Sequence, residues 1–294
     1  MTSATLERGE TQARAAGGGG FMRLFDRFLL PVFTALAIGY LMIPIAIMIV
    51  FSFNEPVGKF NYTWNHFSLQ GWLHPFDWPG LPQSFATSIA IAFLSTIFAT
   101  ILGTLIGLSL TRYSFRGRGA INTFLFLPMA TPEVVLGASL LTLFVATALQ
   151  PLAGKVPTLY PTNFTTILIA HIMFNISYVV VTVKARLSGF DRRLEEAAAD
   201  LGANPWITFW RVTFPLIFPG IMAAALLAFS LSIDDFVITN FVSGTTNTFP
   251  IWVYGVIKNA LPVQVNVIGS LVFLVAVGFV VSTNLIARYR SREG

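Results

Sequence analysis

Six long, almost charge-free apolar stretches constrain this chain more than any other feature. A helix needs about 20 apolar residues to cross a bilayer, and its backbone must satisfy its own hydrogen bonds there. Only 11% of the 294 residues are charged, whereas a soluble domain carries about 25%. The sequence therefore predicts an all-α integral membrane protein with six transmembrane helices, at about 28–53, 85–111, 120–149, 163–183, 214–242 and 263–287.

The distribution of basic residues predicts the orientation of these spans. If the N-terminus lies in the cytoplasm, 15 of the 18 Lys and Arg residues fall on one face, and only Lys59, Lys155 and Lys258 fall on the other. Cytoplasmic loops carry the excess of Lys and Arg. Both termini are therefore expected to be cytoplasmic, with a disordered tail at 1–20 before a transmembrane permease domain at 21–294.

The composition excludes several other classes of protein. Without cysteine, the chain has no disulfide framework, thiolate metal site or cysteine nucleophile, and its three histidines are widely separated. It contains neither a phosphate-binding Gly-x-x-x-x-Gly-Lys-Ser/Thr loop nor a His-Glu-x-x-His or Gly-x-Ser-x-Gly motif. We therefore expect a transport subunit that is not an enzyme, with no cofactor, metal or nucleic acid bound to this chain.

The cytoplasmic loop at 184–213, between spans four and five, predicts two short helices. Asp191 is a suitable N-cap for the first helix, and Gly202 is expected to end it in a left-handed conformation. Asn204 and Pro205 have the residue types that begin the second helix. Alanines at 197–199 leave a smooth surface that another protein can approach closely. The second helix carries aromatic residues expected to face an apolar environment, Trp206, Phe209 and Trp210.

This loop resembles the EAA motif of permease subunits from binding-protein-dependent ABC-type importers. Glu196-Ala197-Ala198 is followed by Gly202 at the family's interval, and nine residues later comes Val212-Thr213-Phe214-Pro215. Val and Phe replace the usual Ile and Leu. A plain amphipathic helix at the membrane surface is the alternative, but it does not require this second interval. The resemblance implies a coupling helix that docks on an ATPase through Glu195, Glu196, Ala197, Ala198, Asp200 and Gly202.

The same resemblance implies an assembly of several subunits. A second permease, identical or homologous, would complete the pore. Two cytosolic ATPase subunits would bind ATP and Mg, and an extracytoplasmic solute-binding protein would deliver the solute. The chain itself would lie in a bacterial cytoplasmic (inner) membrane as a multi-pass protein.

Three acidic residues fall within the predicted spans, where an ionised side chain costs about 2.5–3.5 kcal/mol at the helix centre. Asp234 and Asp235 lie in the outer half of span five, and Glu133 follows two prolines that predict a broken helix in span three. These acids predict a translocation path suited to a cationic solute. The alternative is structural pairing, and one of the two aspartates can line the path while the other pairs with a neighbouring helix. His171 is expected to be structural.

The stretch Ser232-Ile233-Asp234-Asp235-Phe236, with 248–254 after it, resembles the polyamine branch of these permeases, although Phe249 stands where Leu is usual. This resemblance implies putrescine, spermidine or a similar cationic amine as the solute. Alternatives are the same type of importer for an amino acid, a phosphonate or a metal complex, and a secondary transporter driven by an ion gradient. The secondary transporter would leave the cytoplasmic loop unexplained.

Overall fold

The structure, a computed structural model, describes residues 19–148 and 162–290, with side chains described at 28–146, 162–278 and 281–282. The regular secondary structure of these residues is helical, apart from two isolated β-bridges, Asn54–Phe67 and Phe60–Leu261, and turns and loops join the helices. The helices are, in chain order, α1 (Gly19–Phe51), α2 (Gln70–Leu73), α3 (Leu81–Arg112), α4 (Arg118–Ala130), α5 (Glu133–Ala148), α6 (Phe164–Ser188), α7 (Arg193–Asp200), α8 (Pro205–Thr208), a π-helical turn (Phe209–Thr213), α9 (Phe214–Ile233), α10 (Val237–Val242), α11 (Phe249–Ile257) and α12 (Val263–Arg290).

One compact unit combines the residues up to Asp77 with those from Ala260 onward. In this unit α1 packs on α12, where a Cβ on Gly269 would lie 2.7 Å from the sulfur of Met48. The segment between α1 and α2 is tied together by buried amides. The Asn54 side chain donates to Oδ1 of Asn61 at 2.6 Å, and Asn61 donates to the carbonyl of Phe51 at 2.8 Å.

The second unit, Trp78–Asn259, is built around α3, α6 and α9. Small residues on α3 allow the α6 backbone to approach closely, because a Cβ on Gly103 would lie only 2.6 Å from Cγ1 of Val179. Small residues commonly allow such contacts between membrane helices. The buried residues of this core are Ala99, Val179, Val183, Leu187, Ile217, Ile221, Ala224 and Ala228.

A second core cluster joins α5 and α10 to α6 within the same unit. Leu140 and Phe144 of α5 pack with Ile238 and Val242 of α10. Gly137 allows close contact at this point, since a Cβ there would lie 2.7 Å from the ring of Phe241. The 189–213 loop lies at the N-terminal end of α9, and Asp234 and Asp235 lie at its C-terminal end.

Four described helices are long and apolar enough to cross a membrane, and they fall on predicted spans one, two, four and five. The third predicted span is two helices bent by 107° at residues 131–132, which agrees with the break expected from the prolines. The sixth coincides with α12, whose described apolar part, Val263–Gly278, is shorter, so six spans stay a prediction. The structure is thus that of a multi-pass membrane protein.

The fifth predicted span differs from the structure in one respect. The sequence predicts one helix through 242, whereas α9 ends at Ile233 and α10 starts at Val237. The carboxylate of Asp235 accepts the backbone N–H of Thr239 at 2.8 Å. An Asp side chain that takes up backbone N–H groups in this way favours a new helix start over a continuous helix.

Candidate coupling loop and translocation site

The predicted coupling helix is α7, and both of its ends are set by local sequence. The Asp191 carboxylate accepts the N–H of Arg193 at 3.0 Å, so it caps the helix one residue earlier than a standard N-cap, which is Arg192 here. At the other end Gly202 has a φ of +82°, as predicted. The N–H groups of Gly202 and Ala203 bond to the carbonyls of Ala199 and Ala198 at 2.8 and 3.0 Å, which is a Schellman cap.

One face of α7 is open to solvent. Glu196, Ala197, Asp200 and Gly202 are exposed, and Ala198 is partly buried. Sequence analysis missed Leu201, which follows the helix and is 90% exposed. Its signal was a leucine placed between Asp200 and the left-handed Gly202, where the chain turns outward. An exposed leucine beside two exposed acids makes a small apolar surface with a charged border.

Glu195 lies on the opposite face of α7 from this surface. Arg112, from the C-terminal end of α3, donates to both of its carboxylate oxygens, and Thr213 donates to the same group. Both charged side chains are only 20% exposed. Partial burial raises the pKa of Glu195, but the hydrogen bonds from Arg112 and Thr213 and the positive charges of Arg112 and Arg192 outweigh this effect, so its pKa lies below the usual value.

Two further contacts join the end of α3 to the start of the loop. The guanidinium of Arg112 lies over the ring of Phe190, 5.1 Å from its centre. Arg192 donates to the carbonyl of Thr111 at 3.1 Å. Bidentate Arg–carboxylate pairs are directional, so these contacts fix the orientation of α7 as well as its position.

The second helix of the loop begins as the sequence predicts. Asn204 accepts the N–H of Ile207 at 2.9 Å, and Pro205 occupies the first helical position. The chain then passes through the π-helical turn, which directs Thr213 towards Glu195. The predicted aromatic residues, Trp206, Phe209 and Trp210, pack on one another and on Phe214, and Trp206 is 70% exposed.

The two aspartates after α9 have different surroundings. Asp235 is 9% exposed and accepts from Thr239, and its Oδ2 lies 3.3 Å from Nε2 of the buried His171. Asp234 is exposed, and no side chain among the described residues bonds to it. The arrangement matches the predicted alternative in which one aspartate pairs with a neighbouring helix.

Glu133 occupies the first turn of α5, directly after the 107° bend, and it is exposed. No hydrogen bond or ion pair between described residues joins Glu133 to Asp234 or Asp235. Over 19–148 and 162–290, no three His, Asp or Glu side chains come together in a way that could hold a metal ion. The two exposed acids, Asp234 and Glu133, are therefore not joined to each other, whereas Asp235 is paired.

Comparison with known proteins decides the family. Residues 99–291 match the family of binding-protein-dependent transport system inner membrane components. The chain belongs to this family. It is 34% identical to the spermidine/putrescine transport system permease protein PotC of Haemophilus influenzae, covering 89% of this chain and 97% of PotC. It is 35% identical to the putrescine transport system permease protein PotI of Escherichia coli K12, covering 85% and 86%.

Solved structures support the same fold. A bacterial ABC transporter involved in import of the acidic polysaccharide alginate aligns over 92% of this chain and 98% of its own, with a TM-score of 0.68 at 16% identity. A second structure, of a bacterial alginate ABC transporter in complex with an alginate pentasaccharide-bound periplasmic protein, gives a TM-score of 0.61 at 18% identity. The family match and these relatives identify the protein as a permease subunit of an ABC-type importer, a transport component and not an enzyme.

Proposed function

We propose that this permease imports a polyamine such as putrescine or spermidine, or a closely similar cationic amine. The observation that carries this proposal is the match of at least 85% of the chain to two relatives named for polyamine transport. The exposed carboxylate of Asp234 at the α9–α10 break, and that of Glu133 at the α5 start, are suited to bind an ammonium group. Amines with a pKa near 10 are cationic at neutral pH.

The permease would work as one subunit of a larger assembly. A second permease subunit supplies the other half of the path, two ATPase subunits bind ATP and Mg, and a binding protein delivers the solute. The family description names a binding-protein-dependent system, and one structural neighbour is in complex with a periplasmic protein. The assembly lies in the bacterial inner membrane, with six spans and both termini in the cytoplasm. The proposed disordered tail at 1–20 is almost entirely outside the described residues.

The coupling helix would receive the motion of the ATPase through its exposed face. Glu196, Ala197, Ala198, Asp200 and Gly202 form this face with Leu201, which is 90% exposed. A leucine at the centre of a charged border fits a groove on another protein.

Glu195 would transmit this motion and would not dock. Its bonds to Arg112 and Thr213 connect α7 to α3 and to the start of α9. When ATP-driven closure displaces α7, this pair moves the ends of both helices with it. Interfaces that repack in this way convert small shifts into opening of a path.

Uptake into proteoliposomes containing the complete complex tests the proposal. Labelled putrescine and spermidine should accumulate only with ATP on the ATPase side, and each should compete with the other. Sulfate is a useful anionic competitor, because it discriminates a polyamine importer from one for an anion. A relative named as a probable sulfate transport system permease protein, from Marchantia polymorpha, is 31% identical over 54% of this chain. If polyamines neither accumulate nor compete, the solute is a different one. Uptake that persists on an ion gradient without ATP would argue against the ATP-driven mechanism.

A further inference from the structure

A continuous chain of side-chain hydrogen bonds crosses the core of the Trp78–Asn259 unit. Ser95 of α3 lies 3.0 Å from Ser232 of α9, which lies 2.6 Å from Nδ1 of His171 on α6. Nε2 of His171 lies 2.8 Å from the hydroxyl of Thr239 on α10, which donates to Asp235 at 2.6 Å. All five residues are 0–9% exposed, so the network must satisfy its donors and acceptors internally.

The carboxylate end of this network fixes the direction of its hydrogen bonds. Asp235 accepts from the hydroxyl and the N–H of Thr239, and more weakly from the N–H of Ile238 at 3.4 Å. A carboxyl that only accepts is ionised. Because Thr239 directs its one hydroxyl proton to Asp235, it can only accept from His171. Nε2 of His171 therefore carries a proton.

The serine end leads to the same conclusion for the other ring nitrogen. Ser95 donates to the backbone carbonyl of Ala92 at 3.2 Å, so it accepts from Ser232. Ser232 has one proton and directs it to Ser95, so it can only accept from Nδ1 of His171. A neutral ring would require Ser232 to donate to Nδ1, which loses or reverses its bond with Ser95, and it would leave Asp235 as a buried carboxylate without a counter-charge, which is costly.

We propose that His171 is an imidazolium ion that forms a buried ion pair with Asp235, leaving Asp234 as the single free carboxylate at the α9–α10 break. Asp235 is then a positioning residue that holds α10 against α6, and the break carries one net negative charge instead of two. Among the described residues, the charged groups at this site are Asp235 and its neighbour Asp234. The assignment of Asp234 to the solute rests on the proposed function, whereas the charge of His171 does not.

Nuclear magnetic resonance of the ring nitrogens tests the charge directly. The chain has three histidines, and exposed His66 and His74 can be replaced in a His66→Gln/His74→Gln background, leaving His171. This subunit, labelled with ¹⁵N-histidine, is reconstituted with unlabelled partners at pH 7. Both ring nitrogens should show protonated shifts, and Asp235→Asn should restore one unprotonated nitrogen. One unprotonated nitrogen in the parent background would overturn the proposal.

Stability and uptake measurements test the division of roles. His171→Gln and Asp235→Asn should each lower the melting midpoint by several degrees, and the double variant should lose less than the sum, as expected for a broken pair. Asp234→Asn should leave the midpoint unchanged and raise the putrescine KM about tenfold, the effect of one lost charge-assisted contact. A raised KM in Asp235→Asn without a change in midpoint would contradict the division. If no variant transports polyamines, the solute assignment fails while the ¹⁵N result stands.

Discussion

Arg112 and Glu195 lie 83 positions apart in sequence and form a bidentate ion pair between the end of α3 and the coupling helix. Thr213 donates to the same carboxylate from the π-helical turn. Three separate elements thus meet at one side chain. The next residue, Glu196, points away from them and is exposed. Two adjacent acids of one motif therefore have different surroundings, and the following predictions separate their roles.

Removing the carboxylate of Glu195 should destabilise the protein and uncouple ATP hydrolysis from transport. Glu195→Ala leaves the half-buried Arg112 without its partner, and hydrogen bonds to charged groups contribute about 1.5–3 kcal/mol. We expect a loss of this size in the free energy of unfolding, and ATP hydrolysis that continues with reduced uptake. Unfolding in detergent, together with hydrolysis and uptake by the reconstituted complex, measures both effects.

Two variants provide the controls for this prediction. Glu196→Ala, at an exposed position, should change the free energy of unfolding by no more than about 0.5 kcal/mol. Adding Arg112→Ala to Glu195→Ala should cost little more than the single change, because the interaction is already lost. Fully additive losses would contradict the ion pair.

The pair should also make stability depend on pH in a defined direction. The pKa of Glu195 is lower in the folded protein than in the unfolded chain, where it is about 4.5. The folded state therefore gains stability that is complete above that value and is lost as the pH falls through the folded pKa. The difference in melting midpoint between the parent and Glu195→Gln should be constant from pH 7 to about pH 5 and should shrink below pH 4.5. A difference that grows on acidification would contradict this assignment.

Gly202 should be required for its backbone conformation alone. Its φ is +82°, and a Cβ at this position would meet no atom within 4 Å. Gly202→Ala should therefore cost about 1–2 kcal/mol, the penalty of a left-handed residue, and Gly202→Asn should cost less. Gly189→Ala is the matched control, since Gly189 has a φ of −90° in the same loop. Equal effects of the alanine changes at 189 and 202 on the melting midpoint would argue against the Schellman cap.

The contact between α3 and α6 at Gly103 should tolerate no side chain. A Cβ there would lie 2.6 Å from Cγ1 of Val179, so Gly103→Ala should destabilise by about 1–3 kcal/mol through overpacking. Val179→Ala in the same chain should recover part of this loss. Gly119→Ala, in open space on α4, should be neutral or slightly stabilising. Thermal unfolding in detergent measures all three, and a neutral Gly103→Ala would contradict the close packing.

The parts of the site that were predictable from sequence are local. The helix end at Gly202 and the start at Asn204 and Pro205 depend on residues within one turn, so their conformations follow from the residue types. The break before Glu133 follows in the same way from two nearby prolines. The four spans that coincide with long apolar helices were predictable because the bilayer imposes their length and composition.

The pairings of distant residues were not predictable in this way. Many arginines fall on the predicted cytoplasmic face, and no local pattern distinguishes Arg112 as the partner of Glu195. His171 and Ser232 are 61 positions apart, and their contact depends on how α6 packs against α9. The helix break at 234–236 was missed because apolar residues continue on both sides of it, while the competing bonds of Asp235 become visible only in three dimensions.

Cross-linking from the coupling helix tests the central claim most directly. The chain has no cysteine, so Ala197→Cys introduces a single thiol on the exposed face of α7. Val57→Cys is the matched control, because Val57 is 88% exposed in the segment expected on the opposite side of the membrane. In the assembled importer, a short bifunctional reagent should join residue 197 to the ATPase subunit and should not join residue 57 to it. An assembled complex in which residue 197 fails to cross-link, or reacts with an impermeant thiol reagent added from outside, would contradict the account.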